Sequence, residues 1–136
     1  MSAEPAVLIV EDEMIAALYL KRLLAGRYRV VGIVRSGEEA VESATRESPD
    51  FVLMDIRLAG EIDGVEAARR ILERGHPVVI FCSAYAREEI GDPVGRGLGT
   101  ALVAKPVRKE ELLTALAAGV AGGRIGIDGE GPGLAR

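Results

Sequence analysis

The sequence predicts an α/β fold, in which helices cover a doubly wound parallel sheet of five strands. Short apolar runs alternate with longer segments whose apolar residues recur at helical spacing, and this alternation is typical of parallel α/β sheets. The first run is apolar throughout, as expected of a strand that is covered on both faces. The same criteria predict strands at residues 6–10, 29–34, 51–54, 77–82 and 101–104.

Helices are predicted between the strands and after the last one. The first is expected over residues 13–25 and is closed by Gly26. The next two begin at capping patterns, in which Ser36 and Asp63 are each followed by a glutamate three positions later. The last helix has apolar side chains at helical spacing, namely Leu112, Leu113, Leu116, Ala117 and Val120.

The crossover between the fourth and fifth strands should also hold a helix, because parallel strands need a long connection. The segment is nevertheless rich in helix breakers, which are Gly91, Pro93, Gly95, Gly97 and Gly99. Each interior glycine costs about 1 kcal/mol relative to alanine, and proline costs about 3 kcal/mol. We therefore expect a short or irregular fourth helix and weak amide protection across residues 86–99.

Length and composition indicate one domain. The chain has 136 residues, of which 49% are hydrophobic, so it can bury a substantial core without disulfides or metals. We expect the folded domain to span residues 1–121 and a flexible glycine-rich tail to occupy residues 122–136.

Composition also argues against several classes of function. The net charge is −4, whereas a nucleic-acid binder would need a basic face. With one cysteine and one histidine, the chain has no disulfide framework and no site built from several histidines or thiolates. It shows no signal-peptide pattern and no apolar run of the roughly 20 residues that a membrane span needs, so we expect a cytoplasmic protein.

Polar side chains follow the predicted strands at their carboxyl ends. Glu11 and Asp12 come after the first strand, Asp55 after the third, Ser83 after the fourth and Lys105 after the fifth. In open parallel sheets, ligands bind outside the carboxyl ends of the strands, where the strand order reverses. These five residues are therefore the candidate functional site.

Three carboxylates would crowd together if the first and third strands are neighbours, about 4.8 Å apart. Like charges at that distance raise one another's pKa, and a hard divalent cation such as Mg²⁺ relieves the conflict because it prefers oxygen ligands. Asp55 would then act as a nucleophile on phosphorus, as in enzymes that form an aspartyl phosphate. Lys105 and the hydroxyl of Ser83 would stabilise the transferred group.

Four segments, in the expected order, resemble the signature motifs of bacterial response-regulator receiver domains: VLIVEDE, LMDIRLAGEIDGVEAA, FCSAY and AKPV. The resemblance covers about residues 4–121. It implies a flavodoxin-like (βα)5 fold with strand order 2-1-3-4-5. It also implies a role in two-component signalling, in which a sensor histidine kinase or a histidine phosphotransfer protein donates a phosphoryl group.

The resemblance further assigns roles around a divalent cation, Mg²⁺ or Mn²⁺. Asp55 matches the phosphoacceptor of the family, while Glu11 and Asp12 match its acidic pair. Asp12 is the expected direct ligand of the cation. The backbone carbonyl of Arg57 is expected to complete the set of protein ligands.

Other positions match the residues that transmit the signal in the family. Ser83 matches the switch hydroxyl, and Lys105 matches the family's lysine, with a cis bond to Pro106 expected from the resemblance. Receivers usually carry an aromatic residue three positions before that lysine, where this chain has Leu102. Tyr85, two residues after Ser83, is the candidate substitute, so Ser83, Tyr85 and Leu102 are the switch candidates.

The leading hypothesis is a stand-alone phosphoacceptor module that signals through contact with an unidentified downstream protein or with a second copy of itself. An alternative is a pseudo-receiver that only binds other proteins, and the complete set of Asp12, Asp55, Ser83 and Lys105 argues against it. A phosphatase would need a second acid near the nucleophile, a role that Arg57 does not fit, so we expect no dedicated turnover enzyme. A flavin-binding protein would need a phosphate-cradling loop after the first strand, where the chain has Glu-Asp-Glu.

Overall fold

The computed structural model describes residues 4–84 and 91–121, which form a five-stranded parallel sheet with helices on both faces. The strands are β1 (Ala6–Val10), β2 (Arg29–Val34), β3 (Phe51–Asp55), β4 (Val78–Ser83) and β5 (Ala101–Ala104). The described helices are α1 (Met14–Leu24), α2 (Gly37–Glu47), α3 (Gly64–Arg74) and α4 (Lys109–Ala121). The strand order β2-β1-β3-β4-β5 confirms the order that the resemblance implied.

Separate apolar clusters cover the two faces of the sheet. One cluster joins strand residues such as Ile9 and Leu53 to α1 and α4. The other joins their neighbours in the strands, such as Val10 and Met54, to α2 and α3. Every residue of β1, β3 and β4 is buried. Burying one large aliphatic side chain contributes about 1.5–3 kcal/mol to the free energy of folding, so strands that are covered on both faces favour unbroken apolar runs.

Helices α2 and α3 begin where the capping patterns predicted. Ser36 Oγ accepts a hydrogen bond from the Glu39 N–H at 3.1 Å, and Asp63 Oδ1 accepts one from the Glu66 N–H at 2.9 Å. The Glu39 carboxylate accepts the Arg35 N–H at 2.9 Å. Because a helix N-cap is worth about 1 kcal/mol, these bonds help to fix both helix starts beside the carboxyl edge of the sheet.

The described part of the β4–β5 crossover folds as turns. Its backbone hydrogen bonds differ in span: the Gly97 N–H binds the Val94 carbonyl at 3.0 Å, and the Leu98 N–H binds the Pro93 carbonyl at 2.8 Å. Gly97 has a φ of +82°, a conformation that favours glycine. The expected irregularity is therefore confirmed for residues 91–99, while residues 85–90 lie outside the described part.

Two further predictions concern residues outside the described part of the chain. The predicted tail, residues 122–136, and the switch candidate Tyr85 lie outside it. Within residues 4–84 and 91–121, no helix combines the length and the apolar character needed to cross a bilayer. The weak amide protection expected across residues 86–99 stays a prediction.

Candidate functional site

The parallel sheet brings the predicted site residues to one edge. Asp55 is the last residue of β3, and Ser83 is the last residue of β4. Glu11 and Asp12 directly follow β1, and Lys105 directly follows β5. Because these four strands are parallel and adjacent, their carboxyl ends lie side by side.

Glu11, Asp12 and Asp55 form an acidic cluster at this edge. Each offers a carboxylate oxygen, and the three oxygens lie within 4.8 Å of one another. Glu11 is 3% exposed and Asp55 is 9% exposed, whereas Asp12 is half-buried. Carboxylates that are so close and so poorly hydrated repel one another, so a divalent cation with oxygen ligands fits this donor set.

Lys105 provides a positive charge beside the acidic cluster. Its Nζ donates to Glu11 Oε1 at 2.6 Å and to Asp55 Oδ2 at 3.0 Å. Burial on its own lowers the pKa of Lys105, but the hydrogen bonds and charges of Glu11 and Asp55 outweigh it and raise the pKa above its ordinary value of 10.5. Lys105 is therefore charged at neutral pH and links the ends of β1, β3 and β5.

Glu11 engages both carboxylate oxygens within the protein. Oε1 accepts the bond from Lys105, and Oε2 accepts the Glu13 N–H at 3.1 Å. Glu13 immediately precedes α1, and its carbonyl accepts the Ala17 N–H at 3.0 Å. Glu11 thus orients Lys105 and stabilises the start of α1. The bond to Glu13 is local, whereas the bond to Lys105 joins residues 94 positions apart and depends on how distant strands align.

Ser83 ends β4, the strand that lies between β3 and β5 in the sheet. It is 2% exposed, and its carbonyl accepts the Lys105 N–H at 2.9 Å, which extends the β4–β5 pairing by one residue. The Lys105–Pro106 bond is cis, as the resemblance implied. Ser83 and Asp55 therefore end neighbouring strands at the same edge.

The remaining predicted residues are Arg57, Leu102 and Tyr85. Arg57 is exposed in the loop that joins β3 to α3. Leu102 is half-buried in β5, lies beside Phe81 of β4 and packs against the cluster that α2 and α3 cover. Leu102 thus fills a packing position on the sheet. No placement can be given for Tyr85, which is not among the described residues.

Gly64, the first residue of α3, packs directly against the backbone of Asp55. Sequence reasoning did not assign this role. The Gly64 N–H binds the Ile56 carbonyl at 2.7 Å. A Cβ at this position would lie 2.0 Å from the Asp55 carbonyl oxygen, so any other residue would displace the backbone. The available signal was a glycine directly after the capping Asp63, where a better helix former would be the usual choice.

Comparisons with known proteins agree with this geometry. The sequence matches the response regulator receiver domain over residues 7–117. The structure is similar to the signal receiver domain of a modulated diguanylate cyclase from Desulfovibrio desulfuricans G20, with a TM-score of 0.80, 35% identity, and coverage of 88% of this chain and 95% of that chain. A LuxR-family two-component response regulator from Aurantimonas sp. SI85-9A1 gives a TM-score of 0.79 at 25% identity, with coverage of 88% and 87%.

Curated relatives extend beyond the matched region. The positive alginate biosynthesis regulatory protein of Pseudomonas aeruginosa is 41% identical over 114 residues, which is 81% of this chain and 45% of that protein. The transcriptional regulatory protein PdtaR of Mycobacterium tuberculosis is 30% identical over 111 residues, which is 81% of this chain and 54% of that protein. The chain spans about half the length of these relatives. The family match, the fold and the acidic cluster together show that the chain belongs to the response regulator receiver domain family.

Proposed function

We propose that Asp55 accepts a phosphoryl group from a phosphohistidine of a sensor histidine kinase or of a histidine phosphotransfer protein. Receiver domains take phosphate from histidine kinases and are not turnover enzymes. The observation that carries the proposal is the environment of Asp55: its carboxylate belongs to the acidic cluster and accepts a hydrogen bond from Lys105 Nζ at 3.0 Å.

The cation proposed for this site is Mg²⁺ or Mn²⁺. The carboxylates of Asp12 and Asp55 and the backbone carbonyl of Arg57 would hold it, with Glu11 beside them. All of these donors are oxygens, the ligand type that both ions prefer. Among the described residues, the Lys105 ammonium group pairs with Glu11 and Asp55 of the three carboxylates, so a divalent ion would offset the remaining negative charge. When bound, the cation supplies charge neutralisation to the phosphoryl oxygens.

The transfer needs no further reactant. A carboxylate oxygen of Asp55 forms a bond to phosphorus while the bond from phosphorus to the imidazole nitrogen breaks, and that electron pair stays on the nitrogen. Lys105 stabilises the charge on the phosphoryl oxygens, and the Ser83 hydroxyl donates a hydrogen bond to one of them. Since adjacent strands hold these side chains, the transfer requires little reorganisation.

The proposed output is a protein contact made by the domain at residues 1–121, with an unidentified downstream protein or a second copy of the chain as the partner. Leu102 takes the place of the usual aromatic switch. The response is therefore proposed to pass through Ser83 and the crossover that follows β4, with Tyr85 as the aromatic residue involved. Residues 122–136 are proposed to be a flexible tail, and the site of action is proposed to be the cytoplasm.

The test is a comparison of intact masses after incubation with Mg²⁺ and acetyl phosphate. We expect the wild type to gain one phosphoryl group and the Asp55→Asn variant to gain none. Asp63→Asn is the matched control, because asparagine caps α3 as well as aspartate does and the change is chemically the same. Absence of a gain in the folded wild type would support the pseudo-receiver alternative. Continuous release of phosphate over many turnovers would indicate an enzyme.

A further inference from the structure

The β2–α2 junction, residues 35–38, contacts two loops of the site: the one that carries Asp12 and the one that follows Asp55. On one side, Arg35 Nη2 donates to the Asp12 carbonyl at 3.3 Å. On the other side, Glu38 Oε2 accepts the Glu61 N–H at 3.0 Å, in the loop between Asp55 and α3. The junction therefore lies where it can hold the two loops in a fixed arrangement.

Close packing accompanies the hydrogen bond to the β3–α3 loop. A Cβ on Gly37 would lie 2.6 Å from Ile62 Cγ1 and 3.0 Å from the Ile62 carbonyl oxygen. A Cβ on Gly60, whose φ is +97°, would lie 2.6 Å from Glu38 Oε1. Glycine at both positions thus allows the loop to approach the junction closely, with Ile62 packed against Gly37 and the Glu38 carboxylate packed against Gly60.

Backbone pairing ties the same two segments together. An isolated parallel bridge joins Ser36 to Ala59, two residues before the Glu61 amide that Glu38 binds. The far end of the loop is held separately, because the Gly64 N–H binds the Ile56 carbonyl at 2.7 Å. The Glu38 bond therefore restrains the middle of a loop whose ends are already fixed.

The Glu38 carboxylate is ionised at neutral pH. Hydrogen bonds from its own N–H, and then from the N–H groups of Glu61 and Ile62, lower its pKa, and the charge of Arg70 lowers it further. Hydrogen bonds from backbone N–H groups to a carboxylate are stronger than those to neutral acceptors. The contact is thus well suited to hold a loop that lies on the protein surface.

We propose that Glu38 is a positioning residue for the phosphoacceptor site, because by binding the Glu61 N–H it holds the β3–α3 loop in the conformation that a divalent cation requires. The loop contains Arg57, whose carbonyl is the proposed third cation ligand. This inference rests on the proposed function of the site. Along the sequence, Glu38 lies 26 positions after Asp12 and 17 positions before Asp55.

The test is the affinity for Mg²⁺ alone, measured by NMR titration of the wild type and four variants. Glu38→Ala should weaken Mg²⁺ binding by at least about 3-fold, below the roughly 10–100-fold that follows loss of a group bonded directly to a metal ligand. Glu38→Gln keeps the reach and an acceptor oxygen but loses the charge that strengthens the bond, so it should bind Mg²⁺ more weakly than the wild type but more tightly than Glu38→Ala. Glu38→Asp keeps the charge but loses one methylene of reach, and it should resemble Glu38→Ala. Glu42→Ala, the same change one turn further along α2, should have no effect.

Glu38→Gln and Glu38→Asp together distinguish a contact that positions the loop from an electrostatic effect of the Glu38 charge on the cation. If Glu38→Asp binds Mg²⁺ like the wild type while Glu38→Gln is weakened, the charge matters rather than the contact, and the proposal is overturned. Equal affinity of Glu38→Ala and the wild type would also overturn it. Failure of the wild type itself to bind Mg²⁺ would instead contradict the proposed function. Circular dichroism of each variant verifies that the fold is retained. If Glu38→Ala unfolds, the comparison of the Mg²⁺ affinities of Glu38→Gln and Glu38→Asp still tests the proposal.

Discussion

The segments that follow β3 and β4 are held in different ways. The β3–α3 loop is bonded to a distant part of the chain, through the bridge between Ser36 and Ala59 and the hydrogen bond from Glu61 to Glu38. The described part of the β4–β5 crossover makes most of its backbone hydrogen bonds within itself, such as the one from Gly97 to Val94.

Glycines in the two segments differ in the space that surrounds them. A Cβ on Gly64, at the end of the β3–α3 loop, would collide with the Asp55 carbonyl oxygen at 2.0 Å. In the crossover, a Cβ on the exposed Gly91 or Gly97 would meet no atom within 4 Å, whereas one on Gly99, next to β5, would lie 2.6 Å from Phe81. The tightly packed β3–α3 loop fixes the position of Asp55, while the part of the crossover around Gly91 and Gly97 lacks such packing restraints.

The largest effect that we expect from this contrast is on stability. Gly64→Ala should destabilise the protein by about 3 kcal/mol, the upper end of the roughly 1–3 kcal/mol typical of overpacking, because the added Cβ has no space. Gly97→Ala should cost about 1 kcal/mol, since only the backbone strain of its φ of +82° opposes it. Urea unfolding of both variants measures the difference. Equal losses in the two variants would show that the segments are equally constrained.

Replacing Lys105 tests the link between the strand ends. Lys105→Met should lower the free energy of unfolding by about 1–3 kcal/mol. This loss is smaller than the roughly 3–5 kcal/mol that follows removal of one partner from a fully buried ion pair, because the Lys105 side chain is 21% exposed. The folded-state pKa of Lys105 is raised, so its contribution is fully present below pH 10.5 and disappears as the pH rises through the raised folded value. Urea unfolding should therefore show a constant gap between wild type and variant from pH 7 to 10, which narrows at higher pH.

Lys109→Met is the control for that experiment, because Lys109 is exposed at the start of α4. Its stability should stay within about 0.5 kcal/mol of the wild type. A gap for Lys105→Met that is no larger than this, or one that widens above pH 10.5, would contradict the assigned pairing with Glu11 and Asp55.

Hydrogen exchange compares the two segments directly. The Gly64 N–H, which is buried and bonded to the Ile56 carbonyl, should exchange at least about 10-fold more slowly than the exposed Gly97 N–H, once intrinsic rates are removed. Weak protection should extend over residues 86–99. Strong protection across that range in the protein without phosphate would rule out a crossover that rearranges easily.

The smallest effect is expected on the outer surface of α3. Glu66 accepts bonds from Arg69 Nη2 at 2.6 Å and from Arg70 Nε at 2.8 Å, which lower its pKa to about 2. Any stability from these bonds is present above pH 4.5 and is lost as the pH falls toward 2. Glu66→Gln should thus be slightly less stable than the wild type at pH 7, and unfolding at low salt should show the difference vanish near pH 2. A difference that is unchanged by acid would mean that these ion pairs contribute nothing.

The sequence was sufficient to predict the strands and the polar residues that lie at their carboxyl ends, because both follow from local patterns. Buried parallel strands read as unbroken apolar runs, and a residue such as Asp55 is located at the sheet edge by the end of its run. The contact between Glu38 and Glu61 could not be predicted, since the two residues are 23 positions apart and meet only after the loops pack. The same is true of the bond from Lys105 to Glu11, which joins residues 94 positions apart.

The central claim is that Asp55 is the residue that receives the phosphoryl group, and locating that group tests the claim most directly. After incubation with Mg²⁺ and acetyl phosphate, the acyl phosphate is reduced with borohydride and the modified residue is identified by peptide mass spectrometry. We predict that the reduced residue is Asp55. Modification at Glu11 or Asp12 instead, or no modification in a folded protein that binds Mg²⁺, would contradict the account.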